Sequence, residues 1–175
     1  MLISLGGLPA TGKTTLARAV ARELGAVHLR IDTIEQAVVR SGLARHPVGP
    51  VGYAVGYALA EDHLRQGLTV IAESVNPLAV TRDAWRDVAS RAGVRLLEVE
   101  TVCSDTSEHR RRSAERTVDI PGLPLPTWDD ITGREYEPWV RGRLVVDTAV
   151  RDVGACVRTI CRDALSPPDR PPSAG

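Results

Sequence analysis

Residues 6–15 constrain this chain more than any other stretch: Gly-Gly-Leu-Pro-Ala-Thr-Gly-Lys-Thr-Thr. Gly7, Gly12, Lys13 and Thr14 match the phosphate-binding loop pattern G-x-x-x-x-G-K-[ST]. Before it, Leu2-Ile3-Ser4-Leu5 is a short apolar run of strand type; after it, Leu16, Ala17, Val20, Ala21 and Leu24 recur at helical spacing. Strand, glycine-bearing loop, then helix is the context that separates a working loop from a chance match.

Each residue type there has its own reason. Glycine lets the backbone turn tightly and approach phosphate oxygens without a Cβ in the way. The successive N–H groups of Gly7, Leu8, Pro9 (which has none), Ala10, Thr11, Gly12, Lys13, Thr14 and Thr15 then frame an anion nest at the positive end of a helix. Lys13 is placed to reach β- and γ-phosphates, and Thr14 to put its hydroxyl on Mg²⁺. Lys13 is also the only lysine; every other member of the 22 Lys and Arg residues is arginine. The chain keeps an ammonium where a compact, mobile charge is wanted rather than a planar fork.

Further along, strand-type runs at 27–31, 68–72, 94–102 and 144–148 alternate with helical stretches at 13–24, 51–66, 78–92, 105–116 and 150–165. Five strands alternating with helices predict a parallel α/β sheet covered on both faces. Asp32 falls at the carboxyl end of the second strand, where such sheets handle ligands. With Glu35 three residues on, it also fits a plain helix cap, and the two readings are compatible. In 51–66, Val51, Val55, Leu59 and Leu64 are the expected apolar positions, and Tyr53 and Tyr57 share a face. Glu73 ends the third strand, where a carboxylate organises Mg²⁺ or accepts from a substrate hydroxyl. Arg82 is a fork suited to an anionic group, or a lone surface arginine. Arg112 and Arg116, four apart, are expected on one helical face as lid residues that neutralise a transferring phosphoryl group. Thr127 is expected to cap a helix running to about Tyr136, and 150–165 to bury Val153, Val157 and Ile160.

Zero formal net charge argues against a nonspecific polyanion binder, so nucleic acid is an unfavoured partner. Cys103, Cys156 and Cys161 have no metal-ligand spacing and are expected as free thiols. No apolar run is long enough to span a bilayer, and little chain precedes the first strand, which together suggest a cytoplasmic protein. Residues 1–165 are expected to form one domain with a lid around 105–126, followed by a disordered, proline-rich tail at 166–175.

Taken together, these motifs resemble the small-molecule kinase branch of the P-loop NTPases, a nucleoside-kinase-like three-layer α/β/α fold. Gly-Leu-Pro-Ala-Thr-Gly-Lys-Thr-Thr at 7–15 looks like the loop of the AAA_33, zeta-toxin-like group, which is similar to chloramphenicol phosphotransferase, gluconate kinase and polynucleotide 5′-kinase domains. Glu73-Ser74-Val75-Asn76-Pro77 with Arg82 and Trp85 resembles that group's acidic-x-x-Asn-Pro…Arg-x-x-Trp segment, and Arg112 with Arg116 its Arg-x-x-x-Arg lid. Glu stands at 73 where Asp is more usual. The resemblance implies ATP and Mg²⁺ as cofactors, Lys13, Asp32, Arg112 and Arg116 as catalytic residues, and Asp32 as the acceptor of the hydroxyl proton. It further implies Thr14 and Glu73 toward the metal, and Asp32, Glu73 and Arg82 toward a small-molecule hydroxyl substrate; Tyr57, from the face it shares with Tyr53, is a further substrate candidate.

Two other classes remain beside the kinase: an ATP-gated binding switch and a polynucleotide 5′-hydroxyl kinase. A Ras-type GTPase is excluded, because Asn-Lys-x-Asp needs a lysine and Lys13 is already in the loop. The acceptor stays open among sugars, sugar acids, antibiotic hydroxyls, nucleosides and nucleotide sugars.

Overall fold

Five parallel strands form one sheet in the order β2-β3-β1-β4-β5. The structure is a computed structural model and describes residues 1–166; the expectation for the tail beyond Ser166 lies outside the described residues. The strands are β1 (Leu2–Gly6), β2 (Val27–Arg30), β3 (Val70–Glu73), β4 (Leu96–Val102) and β5 (Leu144–Asp147). The helices are α1 (Lys13–Leu24), α2 (Ile31–Arg40), α3 (Val51–Arg65), α4 (Ala79–Arg91), α5 (Thr106–Glu115), α6 (Trp128–Thr132) and α7 (Val153–Leu165).

β1 is buried along its whole length, as the central strand of a parallel sheet must be. Its side chains alternate between two cores. Ile3 and Leu5 pack with Leu16, Ala17 and Val20 of α1 and with Cys156 and Ile160 of α7. Leu2 faces the other way, toward Ile31, Ala60, Leu64, Trp85 and Val88 from α2, α3 and α4. This is the three-layer α/β/α arrangement expected from the alternation of elements.

Register decides what meets at the carboxyl edge. Leu5 pairs with Glu73, Glu73 with Arg30, and Gly6 with Glu100. The chain leaves β1 directly into the loop, so the phosphate-binding motif, the end of β2 and the end of β3 open on one side.

Several expectations are corrected. Asp32 is not the cap of α2: β2 runs straight into the helix, Arg30 is the cap, and Asp32 sits in the first turn. In α3 the buried face is Gly52, Gly56, Ala60 and Leu64, whereas Val55 and Leu59 are exposed. The small residues are there because α2 lies close: a Cβ at Gly52 would come 2.3 Å from Glu35 Cγ, and one at Gly56 2.4 Å from Ile31 Cδ1. Hydrophobic spacing alone selects the bulky face and misses a face built for close approach.

α6 ends at Thr132, not near Tyr136, because the chain after Gly133 is held elsewhere: the Glu137 N–H donates to the Pro77 carbonyl and Tyr136 Oη to Glu100. α7 starts at Val153 with Asp152 as its cap and leaves Val153 exposed; Cys156, Ile160, Cys161 and Ala164 supply its buried side. Arg116 lies just past α5 in extended conformation, so it does not share a helical face with Arg112. All three cysteines are free. Among the described residues no helix is long and apolar enough to cross a membrane.

Candidate functional site

The loop from Gly7 to Thr15 holds its shape through two kinds of constraint. Gly7 has φ 136°, and a Cβ there would lie 2.2 Å from the Thr101 carbonyl oxygen, so β4 admits no side chain at this point. Gly12, at φ 94°, ends the loop and starts α1 without a side-chain cap. The first N–H groups of α1 therefore have no partner within the helix and converge at its positive end. Thr11 Oγ1 donates to the Leu8 carbonyl at 2.8 Å, and Lys13 Nζ donates to the same oxygen at 2.7 Å. Burial lowers the Lys13 pKa to about 8, against the opposing charges of Glu73 and Asp32.

Beside this loop lies a cleft of about 930 Å³. Lys13, Thr14, Asp32, Glu73, Arg112 and Arg116 all line it, so the fold gathers six predicted residues from four elements and a connection. Thr14 Oγ1 donates to Glu73 Oε1 at 2.5 Å, and His28 Nε2 bonds the other carboxylate oxygen at 2.8 Å. Burial opposes ionisation of Glu73, but the His28 and Thr14 hydrogen bonds, with the Lys13 and Arg30 charges, outweigh it and hold the pKa below the usual value. Glu73 is thus an ionised carboxylate, only 3% exposed, oriented at both oxygens.

Arg30 is buried between three carboxylates. It pairs with Asp119 at 2.7 Å, Asp32 at 3.6 Å and Glu73 at 3.9 Å. Asp119, from the connection after α5, also takes Arg18 of α1 at 2.7 Å. A second anchor joins that region to the loop: His109 Nε2 bonds the Pro9 carbonyl at 2.8 Å while its ring stands edge-on to Trp128. Arg112 is tied down as well, donating to Thr148 Oγ1 at 2.8 Å, to the Thr148 carbonyl at 3.0 Å and to Glu108. Arg116 makes no hydrogen bond or ion pair among the described residues and faces the cleft.

Two predicted substrate residues lie elsewhere. Tyr57 stands edge-on to Trp85 with ring centres 4.5 Å apart and donates to the Thr81 carbonyl; its neighbour Tyr53 is the one that lines the cleft. Arg82 is 5% exposed and spends its guanidinium on the carbonyls of Leu78, Pro77 and Glu137, stacked 4.6 Å above Trp139. The Asn-Pro segment has a packing role too: Asn76 bonds Ser4 and Trp85 through its side chain, and its N–H donates to Tyr53 Oη.

Sequence reasoning missed Glu35, His28, Arg30 and Ser74. Alternation along β2 places His28 and Arg30 on the same side, two residues apart, which was a usable signal. Glu35 was visible only as a capping partner. In the structure it is half-buried on the cleft wall, where burial and then the Asp32 charge push its pKa up to about 7 against Arg134. A second, smaller cleft of about 620 Å³ adjoins the loop between Gly12, Thr15, Arg112 and residues 148–153.

The AAA_33 family, an AAA domain, matches residues 2–136. The chain belongs to this family. No curated protein matches it. Among solved structures it is similar to Chaetomium thermophilum Kti12 in complex with ADP-AlF3, at 20% identity and TM-score 0.70, covering 95% of this chain and 100% of that one. It is similar to the Mycobacterium tuberculosis APS kinase CysC in complex with AMPPNP and APS, at 19% identity and TM-score 0.66, with 94% and 97% covered. A gluconokinase from Sinorhizobium meliloti 1021 gives 15% identity and TM-score 0.59, with 93% and 94% covered. At these identities the likeness is one of fold: this AAA_33 chain has a kinase-like P-loop fold along nearly its full described length.

The donor set around Thr14 suits magnesium. Magnesium keeps several waters and takes one or two protein oxygens with substrate phosphates, rather than an all-protein cage. Here one hydroxyl and one ionised carboxylate meet beside the phosphate loop, and the described residues contain no cluster of three or more His, Cys, Asp or Glu able to hold a metal by itself.

Proposed function

We propose that this protein is an ATP- and Mg²⁺-dependent kinase acting on a hydroxyl of a small molecule. The observation that carries the reading is the convergence of Lys13, Thr14–Glu73, Asp32 and Arg116, unpaired among the described residues, on one cleft beside a phosphate loop. The loop amides and Lys13 bind the β- and γ-phosphates. The smaller cleft, floored by Gly12 and Thr15 and flanked by Arg112, receives the base. Thr14 and Glu73 would hold Mg²⁺, which supplies neutralisation of phosphate charge. Because Thr14 donates its proton to Glu73, its oxygen lone pairs remain for the ion; Glu73 acts chiefly by orienting that hydroxyl.

Asp32 accepts the proton of the acceptor hydroxyl. The acceptor oxygen forms the new bond to the γ-phosphorus, the bond to the bridging oxygen breaks, and ADP leaves. Arg116 spans the transferring group, while 105–126, held by His109 and Asp119, excludes water. Residues 1–165 act as one domain under this reading.

The test is ADP release across pooled hydroxyl compounds. Stimulation by a pool, lost in Lys13→Ala, supports the kinase. Asp32→Asn is expected to cut turnover by about a hundredfold or more while leaving ATP affinity nearly intact. Tight ATP binding with no acceptor phosphorylated in any pool makes the protein a nucleotide-gated binding module instead.

A further inference from the structure

The acceptor end of the cleft carries an asymmetry of charge that bears on what the kinase proposed above phosphorylates. Asp32 and Glu35 lie three residues apart on α2, hence on one face, and both line the cleft. Asp32 has Arg30 at 3.6 Å as a counter-charge. Glu35 has no hydrogen bond or ion pair among the described residues. Its stem is pressed against α3 at Gly52, with Cγ 2.3 Å from where a Cβ would stand, so the contact fixes its course along the wall.

Ser74, 4% exposed, lines the same cleft beside the Tyr53 hydroxyl, and its Oγ keeps hydrogen-bonding capacity for a ligand.

The other charges nearby are committed or wet. Asp130 accepts from the Thr127 N–H and hydroxyl in a capping box, and His46 bonds Gln36. Arg134, the cation on this side, is exposed to solvent, where its pull is screened. Leu123 to Pro126 add apolar lining to the cleft, suited to the C–H face of a ring.

We propose that Glu35 anchors a protonated amine, so that the acceptor is an amino alcohol: a ring or short polyol with an ammonium group near the hydroxyl offered to Asp32. This rests on the kinase reading. An anionic acceptor would meet Glu35 and Asp32 unfavourably, and a neutral polyol would supply no charge to draw Glu35 into its ionised form. An ammonium supplies the counter-charge, and Ser74 Oγ takes or gives one further hydrogen bond. Around Glu35 the titratable or charged groups are Asp32 on its own helix, Tyr53 on α3, His46 beside Gln36, and Asp130 and Arg134 in the cleft lining.

The test uses the full chain with a non-hydrolysable ATP analogue and Mg²⁺. The probes are hydroxyl compounds in matched free-amine, N-acetyl and carboxylate forms, with amines fully protonated at pH 7. Calorimetry in two buffers of different ionisation heat is expected to show amines binding at least about tenfold tighter than their N-acetyl forms, with protons released on binding. In Glu35→Gln, whose shape is conserved, the preference falls toward unity and the proton release disappears. A wild-type protein with no amine preference, or a preference that survives in Glu35→Gln, overturns the proposal. Phosphorylation of N-acetyl or carboxylate forms without that preference overturns it while leaving the kinase standing. ATP bound with nothing phosphorylated removes the kinase reading and the amine anchor together.

Discussion

Lys13 is held at a cost, and replacing it should stabilise the protein in the absence of nucleotide. Its pKa falls from the ordinary 10.5 to about 8, with burial the first cause. Each tenfold change in acid constant corresponds to about 1.4 kcal/mol, so keeping the ammonium charged in the fold costs about 3 kcal/mol. Lys13→Met fills similar volume without charge. It also loses the hydrogen bond to the Leu8 carbonyl, worth about 1 kcal/mol, leaving a gain of about 2 kcal/mol. For a chain of this size that raises Tm by about 4–8 °C.

The pH dependence has a definite sign. Between pH 8 and 10.5 the unfolded chain holds a proton that the folded one has released, so wild-type stability climbs through that window. The advantage of Lys13→Met is therefore full below pH 8 and shrinks above it. Thermal unfolding at pH 7 and pH 10, with chelator and without nucleotide, measures both. In the presence of Mg²⁺ and ATP the order is expected to reverse, because only the wild type gains from binding. A variant no more stable than wild type at pH 7, or a difference that ignores pH, refutes the reasoning.

Gly7→Ala should lose at least about 2 kcal/mol in chemical denaturation, because its Cβ would sit 2.2 Å from the Thr101 carbonyl at φ 136°; an unchanged midpoint would show that β4 can yield there. Arg116→Ala should lower kcat by about a hundredfold with Tm unchanged, whereas Arg112→Ala should lower Tm as well, since it surrenders the Thr148 bonds. Identical behaviour of the two variants in both assays would contradict the division between them. Arg82→Ala should cost about 2–3 kcal/mol of stability through its lost carbonyl bonds and its stacking on Trp139. An Arg82→Ala protein of normal Tm but greatly raised acceptor KM would return Arg82 to the substrate.

Much of this was legible in the residues themselves. The loop and its flanking strand and helix are contiguous, so local pattern suffices, and the periodicity of the five strands shows through for the same reason. The sheet order is not local: nothing in Val70–Glu73 says that it pairs with both β1 and β2. Side-chain roles set by distant partners were equally hidden. Arg82 looked like a substrate fork because one of its carbonyl partners, Glu137, is 55 residues away. Arg116 was placed on α5 by counting fours, but the helix ends one residue earlier. Glu35 owes its environment to a missing side chain on another helix, and hydrophobic patterning cannot register an absence. Glu73, standing where Asp is more usual, has its second carboxylate oxygen engaged by His28, a partner from another strand.

The glycine contact between α2 and α3 also has a consequence for how such a chain can change. Both helices belong to the excursion between β2 and β3, on the sheet face opposite the α1–α7 layer. The phosphate-handling loop, by contrast, is built from β1 and α1 and braced by β4 and β5. A methyl group added at position 52 would shift Glu35 without touching any of those braces. Drift in this one excursion, past Asp32, can therefore rewrite which molecule is welcomed while the phosphate loop stays as it is, and paralogues of this chain should diverge fastest between residues 33 and 66.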